Sequence, residues 1–537
     1  MLVGDILEHN ARVFPEKEAV VCDDEVLTYR QLKKRVDYLT ALFREMGVRR
    51  GEPVAVLTRN SPRYVEILFA LAGMGAITSP LNFFLLPPEL IRILQDLEPR
   101  FLFFEKKFVD SVDAIKEYCP YLEKLVCIDG DVSGYPPLAA LMGRGYRSGA
   151  AGDFLDESDV AFISYAGSIG KNPKGAQLTH RNLMCASYFS ALELNISRSD
   201  VYLSTASLPF LAGAGRMMKF FLPGAKVVIM RIFEPELALK LIEKHRVTQL
   251  LLVPQMMAQL ASEARKGKHD ISSLKKISYS GIIPVDPLLL KEAMSIFHCG
   301  FVQSFAQVES SGNISFLNVN EEMGRDDAVG LRRLSSIGKE AVGIRVKVID
   351  SSGVEIVPNM VGELAVRGPT VMKGYYNDPY LTAEKVKNGW LYTGHIASID
   401  EGGYIYVIDR LRDIIIRGGV PVDPAEVEEI LLEHGAVDDV SVISKPDYEC
   451  GEVPVAIVVL KEGATIEKSE ILAYARSNMA PFKVPASIEY TESLPRNSQG
   501  KILKARIKED MKGRGFLHDK STGDAAAIAS ADPSKAQ

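Results

Sequence analysis

The sequence predicts an α/β protein with a large N-terminal domain and a small α+β C-terminal domain. At 537 residues the chain is too long for a single hydrophobic core. Short apolar runs alternate with amphipathic helical stretches as far as Ser280, which predicts parallel sheets covered by helices. Near Gly343 the pattern changes to short strands and turns. We therefore expect a β-rich subdomain at about 340–408.

The elements follow in order from local signals. Two short apolar runs flank an Asp-Asp turn and predict a hairpin at 19–27. Thr28 with Gln31 forms a capping box that predicts a helix ending at Gly47. A second helix is expected over 64–71. Buried strands are predicted at 54–57, 76–79, 160–164, 201–204, 226–230, 249–253 and 276–280.

The predicted domain boundaries are 1–410 for the large domain and 411–512 for the small one. The small domain shows helices at 426–432 and 468–478 and strands at 437–444 and 455–460. Residues 513–537 are rich in Ala, Ser, Asp and Gly without apolar periodicity, so we expect a disordered tail.

Composition excludes several classes of protein. The net charge of −6, without a clustered Lys/Arg face, argues against a nucleic-acid partner. Six cysteines without a Cys-x-x-Cys pair favour neither a disulfide framework nor a zinc site, and we expect a cytoplasmic protein. The segment Met1–Asn10 is too acidic for a signal peptide. The apolar run Ile67–Leu86 contains glycines and a proline, which indicates a buried helix and strand and no membrane span.

A glycine-rich loop spans Ser164–Gly175, between a predicted strand and a helix that begins near Thr179. Its N–H groups and Lys174 could hold phosphate oxygens. The G-x-x-x-x-G-K-[ST] spacing is absent, so it is not a Walker loop. From these residues alone a solvated turn is an equally good interpretation.

Two further motifs lie near the C-terminus. Gly500 allows a tight turn that presents Lys501 beside an apolar strand, although a single lysine is more often simply solvated. The segment from Asp409 to Gly419 contains three arginines and a Gly-Gly pair, which would suit an anion or a charged hinge.

Taken together, ordered motifs along nearly the whole chain resemble the adenylate-forming superfamily, which includes acyl- and aryl-CoA synthetases, luciferases and the adenylation domains of peptide synthetases. The resemblance extends to about residue 510. The matching segments are Leu27-Thr-Tyr-Arg-Gln-Leu32, Asn60-Ser-Pro62, Gly75–Asn82, Gly362-Glu-Leu-Ala-Val-Arg-Gly-Pro369, Met372-Lys-Gly-Tyr375 and Asn388-Gly-Trp-Leu-Tyr-Thr-Gly394.

The resemblance implies a large domain of stacked mixed sheets with helices, a small mobile C-terminal domain, and an active site between them. It implies that Glu309 holds Mg²⁺, that Arg410 contacts the ribose or α-phosphate, and that Lys501 stabilises charge as acyl-AMP forms. The small domain would then turn about Arg412. The implied ligand-binding residues are Gly167, Ser168, Gly170 and Lys174 for ATP phosphates, Gly281, Phe305, Ala306 and His395 around the nucleotide and acyl group, and Gly418 and Gly419 along a pantetheine channel.

Several positions depart from the family pattern near the nucleotide. His395 replaces the aspartate that usually accepts hydrogen bonds from the ribose, Val308 replaces a threonine, and Leu211 replaces a frequent histidine. Ala166 and Ile169 stand where hydroxyl residues are usual. Because neutral imidazole offers one acceptor, we expect ATP binding weaker by about 1–2 kcal/mol.

The expected function is that of an ATP-dependent acid–thiol ligase using ATP, Mg²⁺ and coenzyme A. Ala306 leaves the acyl pocket open, so acetate is not expected as sole substrate, while Ile282 and Ile283 would narrow one wall. A medium-chain, branched, cyclic or aromatic acid is favoured, and a long fatty acid stays open. Two alternatives remain: transfer to a carrier-protein phosphopantetheine, and a degenerate member that binds nucleotide without turnover. The sequence also leaves a homodimer open.

Overall fold

The computed structural model describes residues 1–142, 154–165, 173–280, 285, 287–323, 328–350, 352–410, 414–447, 449–496 and 502–513. The chain divides into two compact units. The first consists mostly of residues before 412, and the second mostly of residues from 412 onward. The predicted tail at 513–537 lies, after residue 513, outside the described residues.

The strands and helices are numbered here in chain order. The strands are β1 Glu18–Cys22, β2 Glu25–Thr28, β3 Pro53–Leu57, β4 Ile77–Pro80, β5 Phe101–Phe104, β6 Lys124–Cys127, β7 Val160–Tyr165, β8 Gly175–Thr179, β9 Val201–Ser204, β10 Lys226–Ile229, β11 Gln249–Leu252, β12 Lys276–Ser280, β13 Gly300–Gln307, β14 Gly312–Asn318, β15 Lys339–Glu340, β16 Arg345–Ile349, β17 Gly362–Arg367, β18 Gly374–Tyr375, β19 Val386–Lys387, β20 Trp390–Ile399, β21 Ile405–Arg410, β22 Ile415–Arg417, β23 Val420–Val422, β24 Val437–Asp447, β25 Gly451–Leu460 and β26 Ser487–Tyr490. The α-helices are α1 Val3–Val13, α2 Tyr29–Met46, α3 Pro62–Met74, α4 Pro87–Leu97, α5 Val109–Lys116, α6 Leu138–Met142, α7 His180–Glu193, α8 Leu211–Phe221, α9 Pro235–His245, α10 Pro254–Ala264, α11 Pro287–Phe297, α12 Val319–Met323, α13 Ala328–Leu334, α14 Pro379–Lys385, α15 Pro424–Leu432, α16 Lys468–Asn478 and α17 Lys504–Gly513.

Two mixed sheets form the frame of the first unit. One has the strand order β15-β14-β13-β12-β11-β9-β10-β1-β2, and its inner strands pair in parallel. The other has the order β18-β8-β7-β4-β3-β5-β6. A third, antiparallel sheet contains β16, β17, β19, β20 and β21, as the β-rich pattern predicts. The predicted fold class is confirmed.

Local sequence explains where the helices begin and end. In α2, the Thr28 hydroxyl accepts the Gln31 N–H at 3.2 Å, and the Gln31 amide oxygen accepts the Thr28 N–H at 2.8 Å. This is the predicted capping box. The helix ends at Gly47, whose φ of 90° is readily adopted only by glycine. Thr179 and Asn182 cap α7 in the same way.

Helices lie on both faces of the first sheet. One shared core joins α1, α2, α3, α7 and α8 to both mixed sheets, while α9, α10 and α11 cover the opposite face of the first sheet. Helix α8 is buried almost all round. In the described parts of the chain, no helix combines the length and apolarity that crossing a bilayer requires.

The second unit has its own small core. Strands β22, β23, β24 and β25 form an antiparallel sheet, and β26 adds to β25 in parallel. Helices α15 and α16 pack against it through Val427, Ile430, Ile471 and Ala475. Within this unit, Lys483 Nζ contacts Glu426 Oε1 at 2.6 Å, and both side chains are only 1% exposed.

Candidate active site

Glu309 lies in a short 3₁₀ turn, Val308–Ser310, that connects β13 to β14. Its carboxylate oxygen Oε1 accepts a hydrogen bond from the Tyr375 hydroxyl at 2.8 Å. Its backbone carbonyl accepts the Met372 N–H, also at 2.8 Å. The segment that contains β18 therefore holds Glu309 at two points.

The same segment is joined to the base of the glycine-rich loop. Tyr375 in β18 lies opposite Ala176 in β8, and the Tyr376 N–H donates to the Gly175 carbonyl at 2.7 Å. Lys174 immediately precedes β8. The fold thus brings Glu309 and the C-terminal end of the predicted phosphate loop to one pair of strands.

A single carboxylate at this position is compatible with magnesium. Among the described residues, no group of three or more His, Cys, Asp or Glu side chains could hold a metal ion. Mg²⁺ needs no such group, because it commonly binds through one or two carboxylates together with phosphate oxygens and water. The Tyr375 hydroxyl fixes one oxygen of Glu309. The donor set fits the implied role.

His395 in β20 and Phe305 in β13 are in contact. Their rings meet edge to face with centroids 5.2 Å apart, and the side chains are 8% and 1% exposed. Ala306 follows Phe305 and is exposed at the end of β13. Arg410 pairs with His395 in the β20–β21 ladder, and its side chain lies outside the described residues. The fold therefore brings Phe305 and His395 into contact, and Ala306 adjoins Phe305 in the chain.

Two side chains hold the backbone of the segment before His395. The Gly394 N–H donates to Glu363 Oε1 at 2.9 Å, and Gln307 Nε2 donates to the Thr393 carbonyl at 2.9 Å. Gln307 ends β13, so this bond joins the β-rich sheet to the strand that leads to Glu309.

In the second unit, Gly418 and Gly419 form the two-residue turn between β22 and β23. Their φ angles are 58° and 82°, the conformation of a tight hairpin turn that favours glycine at both positions. The Gly418 N–H donates to the Cys450 carbonyl at 2.8 Å. Their role along a pantetheine channel stays a prediction.

Other predicted residues lie outside the described parts of the chain: Gly167, Ser168, Gly170, Gly281, Ile282, Ile283, Arg412 and Lys501. Sequence reasoning, in turn, assigned no role to Tyr375, although it lies in a matching motif. It also passed over Arg216 and Lys219 in α8. The available signal was two basic residues within the otherwise apolar stretch Pro209–Gly224.

Comparisons with known proteins identify the family of this chain. A family model described as AMP-binding enzyme matches residues 7–376, and one described as AMP-binding enzyme C-terminal domain matches residues 426–501. A feruloyl-CoA synthase from Amycolatopsis sp is 34% identical, with 93% of this chain and 96% of that protein covered. A fatty acid–acyl-carrier-protein ligase from Streptomyces coeruleorubidus is 30% identical, with 92% and 93% covered.

A solved o-succinylbenzoate CoA synthetase from Bacillus subtilis, bound to a product analogue, is similar with a TM-score of 0.83 at 27% identity, covering 94% of this chain and 98% of that one. A structure of the same enzyme with ATP and a magnesium ion matches with a TM-score of 0.68. The chain therefore belongs to the family of AMP-binding enzymes, the adenylate-forming superfamily, and is an ATP-dependent acid–thiol ligase.

Proposed function

We propose that this enzyme joins a carboxylic acid to AMP, releasing pyrophosphate, and then transfers the acyl group to coenzyme A, releasing AMP. The observation that carries the proposal is the Glu309 carboxylate, held by Tyr375 at 2.8 Å on the strand pair that follows the glycine-rich loop. Family membership and the CoA ligases among its relatives support it.

The first step needs positive charge that is fixed in advance, because a carboxylate must attack the α-phosphate of another anion. A magnesium ion bound by Glu309 would neutralise part of the phosphate charge. Lys174, next to β8, would bind phosphate oxygens from the other side of the loop. Lys501 and Arg410 would contact the α-phosphate region, where charge increases as acyl-AMP forms.

The second step needs a narrow approach for the thiol. The hairpin turn at Gly418 and Gly419 presents backbone without side chains. A pantetheine arm could therefore pass close to it. Two relatives differ in the acceptor of this step. The feruloyl-CoA synthase is named for CoA, and the fatty acid–acyl-carrier-protein ligase is named for a carrier protein.

Carrier-protein phosphopantetheine is thus the second candidate acceptor, favoured by the acyl-carrier-protein ligase at 30% identity. The compartment that we propose is the cytoplasm. All six cysteines are free thiols, as a reducing environment would leave them.

The test is pyrophosphate release over a panel of carboxylic acids, each measured with and without CoA. We expect single-turnover release without CoA and multiple turnovers only when CoA is added. Turnover that requires a phosphopantetheinylated carrier protein would support the second candidate acceptor. Absence of release with every acid would contradict ligase activity.

Lys501→Ala separates the two steps. It should slow adenylation by about 10²–10³-fold, the usual effect of losing one preorganised electrostatic contact. Thiolation of chemically prepared acyl-AMP should be spared. Lys508→Ala, in the nearby helix α17, is the matched control. Wild-type adenylation by the Lys501 variant would refute the assigned role.

A further inference from the structure

Two cations are buried together in the middle of α8. Arg216 is 3% exposed and Lys219 is 5% exposed. They are three residues apart, so their side chains leave the helix on the same side. Arginine and lysine are almost never fully buried unless a partner compensates their charge. This pair therefore requires an explanation.

The described part of the chain supplies no counter-charge. It contains no hydrogen bond or ion pair to Lys219, and Arg216 Nε and Nη2 are buried without a hydrogen-bond partner. Burial, and then the nearby charge of Arg216, lower the pKa of Lys219 well below its ordinary value. Such an arrangement is costly as long as no anion occupies it.

The surroundings of the pair are polar. Tyr202 in β9 stacks on Phe220 of α8 with ring centroids 4.3 Å apart, which shows that this face of the sheet is turned toward α8. Gln249 pairs with Tyr202, and Ser278 lies on the same face one strand further. Gln249 Oε1 and Ser278 Oγ are buried and lack hydrogen-bond partners. This face of the sheet and α8 thus carry buried hydrogen-bond donors and acceptors that have no partners among the described residues.

The sheet leads from this pair toward the candidate active site. Ser278 pairs with Val302 in β13, and Ala306 lies four residues further on that strand, exposed near its end and just past an irregularity in the pairing with β14. Four residues of strand span about 13 Å. Lys219 Nζ lies 3.8 Å from the position that a Cβ on Gly312 would take, shortly after Glu309 in the chain.

We propose that Arg216 and Lys219 bind a second anionic group of the acid substrate, so that the preferred substrates are dicarboxylic acids. The proposal rests on the proposed function, since it concerns the acid that the enzyme activates. The distal carboxylate would accept hydrogen bonds from the guanidinium and the ammonium group. A neutral chain end would leave both cations uncompensated, which is the basis of strong discrimination between otherwise similar substrates.

The wild-type enzyme provides the first test. Pyrophosphate release is measured with straight-chain α,ω-dicarboxylic acids of increasing length, and with the half-amide of each, which has the same shape without the second charge. We expect kcat/KM for the best diacid to exceed that of its half-amide by on the order of 100-fold. If half-amides or plain monocarboxylic acids react as well as every diacid, this proposal is wrong while the ligase function stands. If no acid in either series reacts while other carboxylic acids release pyrophosphate, this proposal is wrong and the ligase function stands. Only the absence of release with every carboxylic acid of the wider panel would contradict the ligase function.

Variants then test whether Arg216 and Lys219 cause the preference for diacids over half-amides. Arg216→Met and Lys219→Met should reduce the ratio of kcat/KM for the diacid to that for the half-amide toward one. Lys244→Met, at an exposed lysine of α9, should leave the ratio unchanged. Lys219→Arg keeps the charge and should retain most of the preference for the diacid. This variant provides the test if the methionine variants fold poorly. A wild-type ratio in both methionine variants would overturn the proposal. So would thermal stabilisation of the wild type by inorganic phosphate, lost in those variants, without any diacid preference.

Discussion

His180 should make the stability of this protein depend on pH between about 4 and 7. It is the first residue of α7 and is fully buried. Its Nδ1 accepts the Val3 N–H from α1 at 3.1 Å. Burial lowers the pKa of His180 from 6.5 to about 4, although the carboxylates of Asp159 and Asp5 oppose that shift. The folded protein therefore keeps this imidazole neutral.

The sign follows from proton binding in the two states. Below pH 6.5 the unfolded chain binds a proton at His180, whereas the folded chain does so only near pH 4. Stability therefore falls as the pH decreases. Above that range both states are neutral and the contribution is fully present. With these two pKa values, the free energy of unfolding should decrease by about 2 kcal/mol between pH 7.5 and 5, and by about 3 kcal/mol near pH 4.

The measurement is urea denaturation at several pH values for the wild type and for His180→Asn. Asparagine can still accept the Val3 N–H but does not titrate. The difference between the two proteins isolates His180 from the general effect of acid on the carboxylates. His9→Asn, at an exposed histidine of α1, is the control and should follow the wild type. Parallel curves for wild type and His180→Asn across this range would refute the argument.

Three further changes test other contacts. Tyr375→Phe removes the hydroxyl that donates to Glu309 and should weaken Mg²⁺ binding by about 1.5–3 kcal/mol. The Mg²⁺ concentration for half-maximal pyrophosphate release should therefore increase, and an unchanged concentration would contradict magnesium binding at Glu309. His395→Asp should lower the Michaelis constant for ATP about tenfold, whereas a rise would show that the imidazole is adapted to its site. Lys483→Met removes the cation that contacts buried Glu426 and should destabilise the second unit by about 3–5 kcal/mol. Urea denaturation measures this change, and an unchanged midpoint would argue against the ion pair.

The sequence by itself determined the features that depend on neighbouring residues. The capping box at Thr28 and the glycine end of α2 at Gly47 follow from local hydrogen bonding and backbone freedom. Alternation of strands and helices gave the fold class. Family motifs singled out Glu309, because a motif records a role even when its partners are distant in the chain.

Tertiary structure alone decided which distant groups meet. Tyr375 and Glu309 are 66 residues apart, and only the pairing of β18 with β8 brings the hydroxyl to the carboxylate. In the sequence, Arg216 and Lys219 are two basic residues in an apolar stretch, which does not show whether their side chains are buried. They become a buried pair because α8 packs between the sheets. Burial and long-range contact depend on the packing of the whole chain, and no local pattern of side chains contains that information.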